Sequence, residues 1–287
     1  MRLALCLTLC LCGPGFAEEA PPFAAYDGAS APVLNDPHDL AFGPDGRLYV
    51  ADKFGARIAV FDPETLELVE FLGQGRLPGV HDISFGPGGK VALAVTGLDA
   101  VLLYDDPAGI GDPAERIVGA PRTEGALLHS NRRLYAMAGG IGALAAIEGE
   151  AIVALAEGHF GAHDVAEDPE GNIWVADNAA RRLVKYSPDL TRLQVLDDPK
   201  FGFRGPRYLD VTDAGLLAVA DQDAHRILLI DPDGPEGGTL VGALGTGEPG
   251  LGPNLFDDPE GIAVSGNRFF IADSDNNRIV RYSVVLN

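Results

Sequence analysis

Of the six histidines in the 287-residue chain, His38, His81 and His163 fall at one position of a recurring pattern. Random placement over about 270 residues would put about 0.13 histidines there, so the arrangement is not accidental. Aligning the copies extends the set to His38, His81, Glu124, His163, Arg207 and Glu260. Imidazoles and carboxylates at equivalent places suit a divalent cation, because neutral imidazole nitrogen favours zinc and carboxylate oxygen also serves calcium. The expected ligands are His38, His81, His163 and Glu260, with zinc ahead of calcium. Arg207 and Tyr208 are expected to act on bound substrate. Three histidines would leave an open coordination position, as a catalytic ion requires. Inheritance of a turn histidine through duplication explains the same pattern without any ion, and both readings stand at this point.

The elements that must position these residues are short strands. The first copy reads Pro37-His38-Asp39-Leu40-Ala41-Phe42, then Gly46-Arg47-Leu48-Tyr49-Val50-Ala51-Asp52, then Arg57-Ile58-Ala59-Val60-Phe61. The fourth is equally clear, with Ala162-His163-Asp164-Val165 followed by Ile173-Trp174-Val175-Ala176-Asp177. The aligned positions lie 43, 43, 39, 44 and 53 residues apart. Apolar runs of four to six residues between Asp-Pro, Pro-Asp-Gly and Gly-rich turns are strands. Four strands per period of about 40 to 45 residues make a propeller blade, so the expected fold is an all-β, six-bladed β-propeller, nearly free of helix. The last copy ends soon after its third strand, and residues 22–34 precede the first copy. That N-terminal segment is expected to supply the outer strand of the last blade, because an open seam would expose strand edges.

Antiparallel pairing puts the start of an inner strand and the end of its neighbour on one face. The six aligned residues should therefore ring the mouth of the central channel, joined by Lys53, Asn178, Gln222 and Ser274. Alternation sends Asp39, Asp82 and Asp164 away from the channel axis unless the backbone is irregular, and backbone hydrogen bonding is their expected role. The recurrent Asp-x4-Arg pairs (Asp52/Arg57, Asp177/Arg182, Asp221/Arg226, Asp273/Arg278) read as scaffolding, and the Asp-Pro pairs as turn chemistry. His159 reads as a loop residue.

Asp273-Ser274-Asp275-Asn276-Asn277-Arg278-Ile279 resembles the NHL repeat, and the likeness extends over residues 37–283. Among NHL-like propellers, the ring is similar to that of peptidyl-α-hydroxyglycine α-amidating lyase, an exported family holding zinc with three histidines at this position. The resemblance implies His38, His81 and His163 as zinc ligands in a metal-dependent lyase. The chain departs from that family after the second-strand aspartates, where it has Lys53-Phe54, Asn178, Gln222 and Ser274 instead of Arg and Tyr. Arg207 and Tyr208 are the residues available to compensate. A non-catalytic scaffold binding protein, peptide or glycan on the same face is the alternative. A lactonase-like propeller with channel calcium fits Glu260 and Asn178 but leaves three histidines unexplained.

No G-x-S-x-G, H-E-x-x-H, P-loop or dinucleotide fingerprint occurs, so the corresponding hydrolase and nucleotide classes lack support. A formal charge of −21 repels nucleic acid and anionic lipid, leaving a small molecule or peptide on the channel face as the expected partner. Arg2, the apolar run over residues 3–12 and the Gly15-Phe16-Ala17 tail form a signal peptide too short to span a bilayer. The expected domains are a signal over residues 1–17 and a propeller over 18–287, secreted or periplasmic and not inserted in membrane. All three cysteines (Cys6, Cys10, Cys12) lie inside the signal, so the mature protein is thiol-free. N-terminal sequencing of exported material should begin at Glu18, and exported protein that retains Met1 would contradict this.

Overall fold

A computed structural model describes residues 23–285, and the expected signal over residues 1–17 lies outside the described residues. Six four-stranded antiparallel sheets form the six blades of a propeller. Blade one consists of Pro37–Phe42, Leu48–Asp52, Arg57–Phe61 and Leu68–Leu72, running from the channel outward. Its second strand is buried at every residue, because each blade is covered by a neighbour on both faces. The hydrophobic core is accordingly divided among the six seams. Ile58 and Val60 of blade one, for example, cluster with Ile83, Val91 and Leu93 of blade two. Among the described residues no helix is long and apolar enough to cross a membrane.

The ring closes as the sequence predicts. Ala24–Ala29 pairs antiparallel with Arg278–Val284, matching Tyr26 to Tyr282, and so becomes the outer strand of the sixth blade. Ser30 locks the closure: its amide donates to Ile279 O at 2.8 Å, and its Oγ accepts from Ile279 N at 2.9 Å.

One feature of the inner strands departs from the expected alternation. In every blade the pairing register shifts where the inner strand begins, at Pro37/Leu40, Val80/Asp82, Thr123/Gly125, Ala162/Asp164, Pro206/Tyr208 and Pro259/Ile262. Such a bulge adds an unpaired residue and re-aims side chains. Asp39, Asp82 and Asp164 therefore line a channel cavity of about 330 Å³ instead of turning away from it. Their backbone-bonding role holds. Asp39 Oδ2 accepts from Ile83 N (3.1 Å), Asp82 Oδ2 from Ala126 N (3.2 Å) and Asp164 Oδ2 from Leu209 N (2.7 Å). Each carboxylate thus ties its blade to the inner strand of the next. Blades three and six carry Gly125 and Gly261 here, where a Cβ would lie 2.3 Å from His163 O and 2.1 Å from His38 O.

Removing residues 18–34 deletes the closing strand and the Ser30 contacts. A loss of about 3–5 kcal/mol would lower the melting temperature of a chain this size by roughly 10 °C. Calorimetry of the truncated protein checks this, and an unchanged melting temperature would show that closure does not rest on this strand.

Candidate functional site

The ring face is held in place by the recurrent Asp-x4-Arg pairs. Asp52 Oδ1 accepts from Asn35 N (2.6 Å) while its Oδ2 receives Arg57 Nε (2.6 Å), and Arg57 Nη2 reaches Val33 O (3.2 Å). Asp221 with Arg226 grips the Gly202–Gly205 segment in the same way: Arg204 N and Gly205 N donate to the carboxylate, and Arg226 donates to Gly202 O. In blades one, four, five and six these clamps hold the inter-blade link against a hairpin top, so the ring residue there starts from a fixed place. Scaffolding is their observed role.

Between blades five, six and one the ring face opens into a cleft of about 470 Å³ lined by Asp36, Lys53, Arg207, Gln222, Asp258 and Glu260, among others. His38 is fully buried beside it. Its Nε2 lies 3.2 Å from Asp36 Oδ2, and its Nδ1 is in close contact with Glu260 Oε2. Lys53 Nζ pairs with Asp36 at 3.1 Å, and Arg207 Nε lies 3.2 Å from Glu260 Oε2. Arg207 Nη1 donates to Gln222 Oε1 (2.6 Å), and Gln222 Nε2 donates to Asp258 Oδ2 (2.7 Å) and Glu260 Oε1 (3.1 Å). Glu260 Oε2 is nevertheless buried without a partner in hydrogen-bonding geometry. Burial works to raise the Asp36 carboxyl, but the hydrogen bond and charge of His38, then Lys53, hold it well below the usual carboxylate range. Burial raises Asp258, making its carboxylate a stronger base.

The other histidines are oriented by their own backbone. His81 Nδ1 donates to Gly79 O (2.8 Å), and His163 Nδ1 to Gly161 O (3.1 Å), both carbonyls lying two residues upstream. This fixes the tautomer of His81 and leaves Nε2 as the nitrogen with a free lone pair. Burial, then the charge of His38, pushes the His81 imidazole down to about 3, so it is neutral at ordinary pH. His163 Nε2 meets Glu124 Oε2 at 2.5 Å. Burial opposes ionisation of Glu124, but the hydrogen bond and charge of His163 bring its carboxyl down to about 2. Both nitrogens of His163 therefore face oxygen atoms, of Gly161 and Glu124.

The expected ligand set gathers only in part. Ligand atoms of Asp36, His38 and Glu260 all lie within 4.8 Å of one another. The His81 ring lies 4.6 Å from that of His38, centroid to centroid, but His81 is outside this group, and His163 is turned to Glu124. Tyr208 occupies the second bulge position of blade five and is wholly buried. Its hydroxyl donates to His81 O (3.1 Å) and lies 3.4 Å from His38 Nδ1, so Tyr208 floors the ring rather than facing a ligand. Burial, then the charge of Glu260, keeps that phenol protonated. His159 is a buried loop residue between Asp177 Oδ2 (3.1 Å) and Tyr186 Oη (2.7 Å). Asp36 and Asp258 were missed because Asp-Pro reads as a turn. The available signal was that both stand two residues before a ring position, where blades two, four and five have glycine.

The NHL repeat family matches residues 34–61 and 256–282, in the first and last blades. The chain is a six-bladed β-propeller that carries NHL repeats. No curated protein sequence matches it. Among solved structures this NHL propeller is similar to a catalytically inactive histidine-to-alanine variant of Staphylococcus aureus virginiamycin B lyase with quinupristin (11% identity, TM-score 0.64, 90% of this chain and 99% of that one). It is also similar to a streptogramin B lyase (12%, 0.66, 92% and 98%). The PQQ-bound aldose sugar dehydrogenase of Streptomyces coelicolor is comparably similar (16%, 0.62, 93% and 100%). At such identities the likeness is one of fold.

Beneath the ring of this NHL propeller, the buried carboxyls repel one another. Burial raises Asp39 and Asp82 well above the usual range, helped by the charge of Asp164 on both and of Asp39 on Asp82, and burial lifts Asp164 to about 7. Asp82 Oδ1 has no hydrogen-bond partner among the described residues. A carboxyl raised in the folded state binds a proton that the unfolded chain releases near pH 4. Its ionisation therefore lowers stability progressively from about pH 4 to pH 7 and above. Asp82→Asn keeps an acceptor for Ala126 N and removes one charge. The substitution should raise the melting temperature by a few degrees at pH 8 and by less at pH 5, on the scale of about 1–2 kcal/mol. A lower melting temperature at pH 8 would contradict the repulsion argument.

Proposed function

We propose that the ring face is the site of a metal-dependent lyase, with the ion held by His38, Glu260 and Asp36 and the ligand in the adjoining cleft. The observation that carries this reading is the Asp36–His38–Glu260 group, whose ligand atoms lie within 4.8 Å of one another beside an open cleft. One imidazole and two carboxylates suit zinc or manganese better than calcium, which favours oxygen alone. The buried Glu260 Oε2 contacts His38 and Arg207 but makes no well-directed hydrogen bond, which leaves it a candidate donor atom. Lys53 and Arg207 each hold one of these carboxylates, so an ion must displace or share them. Both nitrogens of His38 face carboxylates, and an ion would compete with a proton for either lone pair. Affinity should therefore fall with acid.

A bound ion would supply Lewis-acid polarisation of a substrate oxygen. The remaining work of an elimination falls to the chain's own groups. Asp258, which lines the cleft with its carboxyl raised by burial, is available as a base. Arg207 lines the cleft as a cation for developing negative charge. Tyr208 positions His38 from below. The lyases among the structural neighbours support the class of reaction, and inactivation of one by loss of a histidine is consistent with a histidine-dependent site.

Elemental analysis after dialysis against zinc, manganese and calcium in turn tests the ion. About one zinc or manganese per chain is expected, with at least a tenfold loss of affinity in His38→Ala, since a ligand atom is removed. The β-sheet spectrum should not change. Protein left metal-free by all three ions would overturn the reading. The lyase step is checked with a peptidyl-α-hydroxyglycine and with quinupristin in 18O-labelled water. A peptide product free of 18O marks a lyase, whereas 18O in a new carboxylate of the peptide would mark a hydrolase.

A further inference from the structure

Among the described residues, six large apolar side chains stand exposed in the loops that join strands: Val33, Phe54, Leu98, Ile141, Phe160 and Leu251. Their place in the topology is not random. A four-stranded antiparallel blade returns to the ring face at its second-to-third hairpin and at its link to the next blade. Phe54, Leu98 and Ile141 lie in such hairpins, and Val33, Phe160 and Leu251 lie in such links. The loops of the opposite face expose no large apolar residue among those described, and Leu66 and Leu190 there are buried. The other exposed apolar residues sit on outer strands or, as Val285, follow the last strand.

Single exposed apolar residues need no explanation, but confinement to one face around one channel does. Phe54 and Phe160 are 65% and 76% exposed. The Phe160 ring lies over Gly142, where a Cβ would come within 2.7 Å of it, so Ile141 and Phe160 form one apolar surface. Phe54 lines the cleft itself, with Lys53 Nζ 4.7 Å from its ring centroid. Inside that rim the cleft carries four carboxylates (Asp36, Asp258, Glu260, Asp275) against two cations (Lys53, Arg207). Apolar at the rim and acidic within, the face is complementary to a ligand that is apolar along its length and positive at one point.

We propose that the ring face binds a short peptide or peptide-like amide with apolar side chains and one positive charge. The charge enters the carboxylate cleft, and the apolar side chains cover Phe54 and the Ile141–Phe160 surface. This rests on the reading that the channel mouth is the ligand site, and not on the presence of an ion. An anionic membrane surface and a second copy of this chain would both bring negative charge to an acidic face, so neither is favoured.

The test uses fluorescence anisotropy with labelled amidated peptides of Phe and Leu ending in Lys, measured on the mature chain. The comparison peptides replace Lys by Glu, or Phe and Leu by Ser. The Phe/Leu/Lys peptide should bind at least tenfold more tightly than either. Phe54→Ser combined with Phe160→Ser should weaken it about tenfold, within the range expected for uncovering buried aromatic surface. Ile152→Ser on an outer strand should leave binding unchanged. Zinc content is measured on the same proteins, and the rim substitutions should not alter it. If zinc is absent but the peptide ranking holds, the metal reading fails and this proposal stands. Equal binding of all three peptides, full binding by the rim variant, or a dimer abolished by Phe54→Ser with no peptide binding would overturn it.

Discussion

Everything on the channel depends on the bulge that opens each inner strand. Without it, side chains would alternate, and only one of each adjacent pair could face the axis. With it, His38 with Asp39, His81 with Asp82, and His163 with Asp164 all serve the channel. The first member belongs to the ring and the second joins the neighbouring blade. The backbone is so close at this layer that blades three and six accommodate only glycine. A device that turns the chain from inter-blade link into strand thus sets both the functional face and the seams.

The two layers use charge differently. In the ring, carboxylates meet cations and imidazoles, both within blade one, where Asp36 pairs with His38 and Lys53, and across blade boundaries, where Glu260 meets Arg207 and Glu124 meets His163. One layer below, carboxylates meet only backbone amides and each other, so burial and repulsion raise their proton affinity. Blade-to-blade hydrogen bonding is gained there against the ionisation of closely spaced acids. Tyr208 separates the layers, tying the sheet of blade five to the histidines of blades one and two.

Much of this was legible from repeat arithmetic. The period gave blades, their number gave the ring, and the shortfall at the C-terminal end assigned the closing strand to the N-terminal segment. What alternation could not show was the side of Asp39, Asp82 and Asp164, because a bulge has no period. Nor could one copy reveal which histidines converge. His163 is diverted by Glu124 from the preceding blade, and His38 is flanked by Asp36 from its own link and Glu260 from the sixth blade. Those partners come from different repeats, so their meeting depends on closure. Asp36 and Asp258 were hidden by ordinary turn chemistry, since Asp-Pro is common where no ligand binds.

The central claim is that closure brings His38, Glu260 and Asp36 together as an ion site. Anomalous diffraction from crystals of residues 18–287 grown with zinc, recorded on both sides of the zinc edge, tests it directly. The account predicts one anomalous peak about 2.0–2.2 Å from a His38 nitrogen and from carboxylate oxygen of Glu260 or Asp36. A ring face without anomalous density, or a peak held elsewhere with His38 still between its carboxylates, would contradict it.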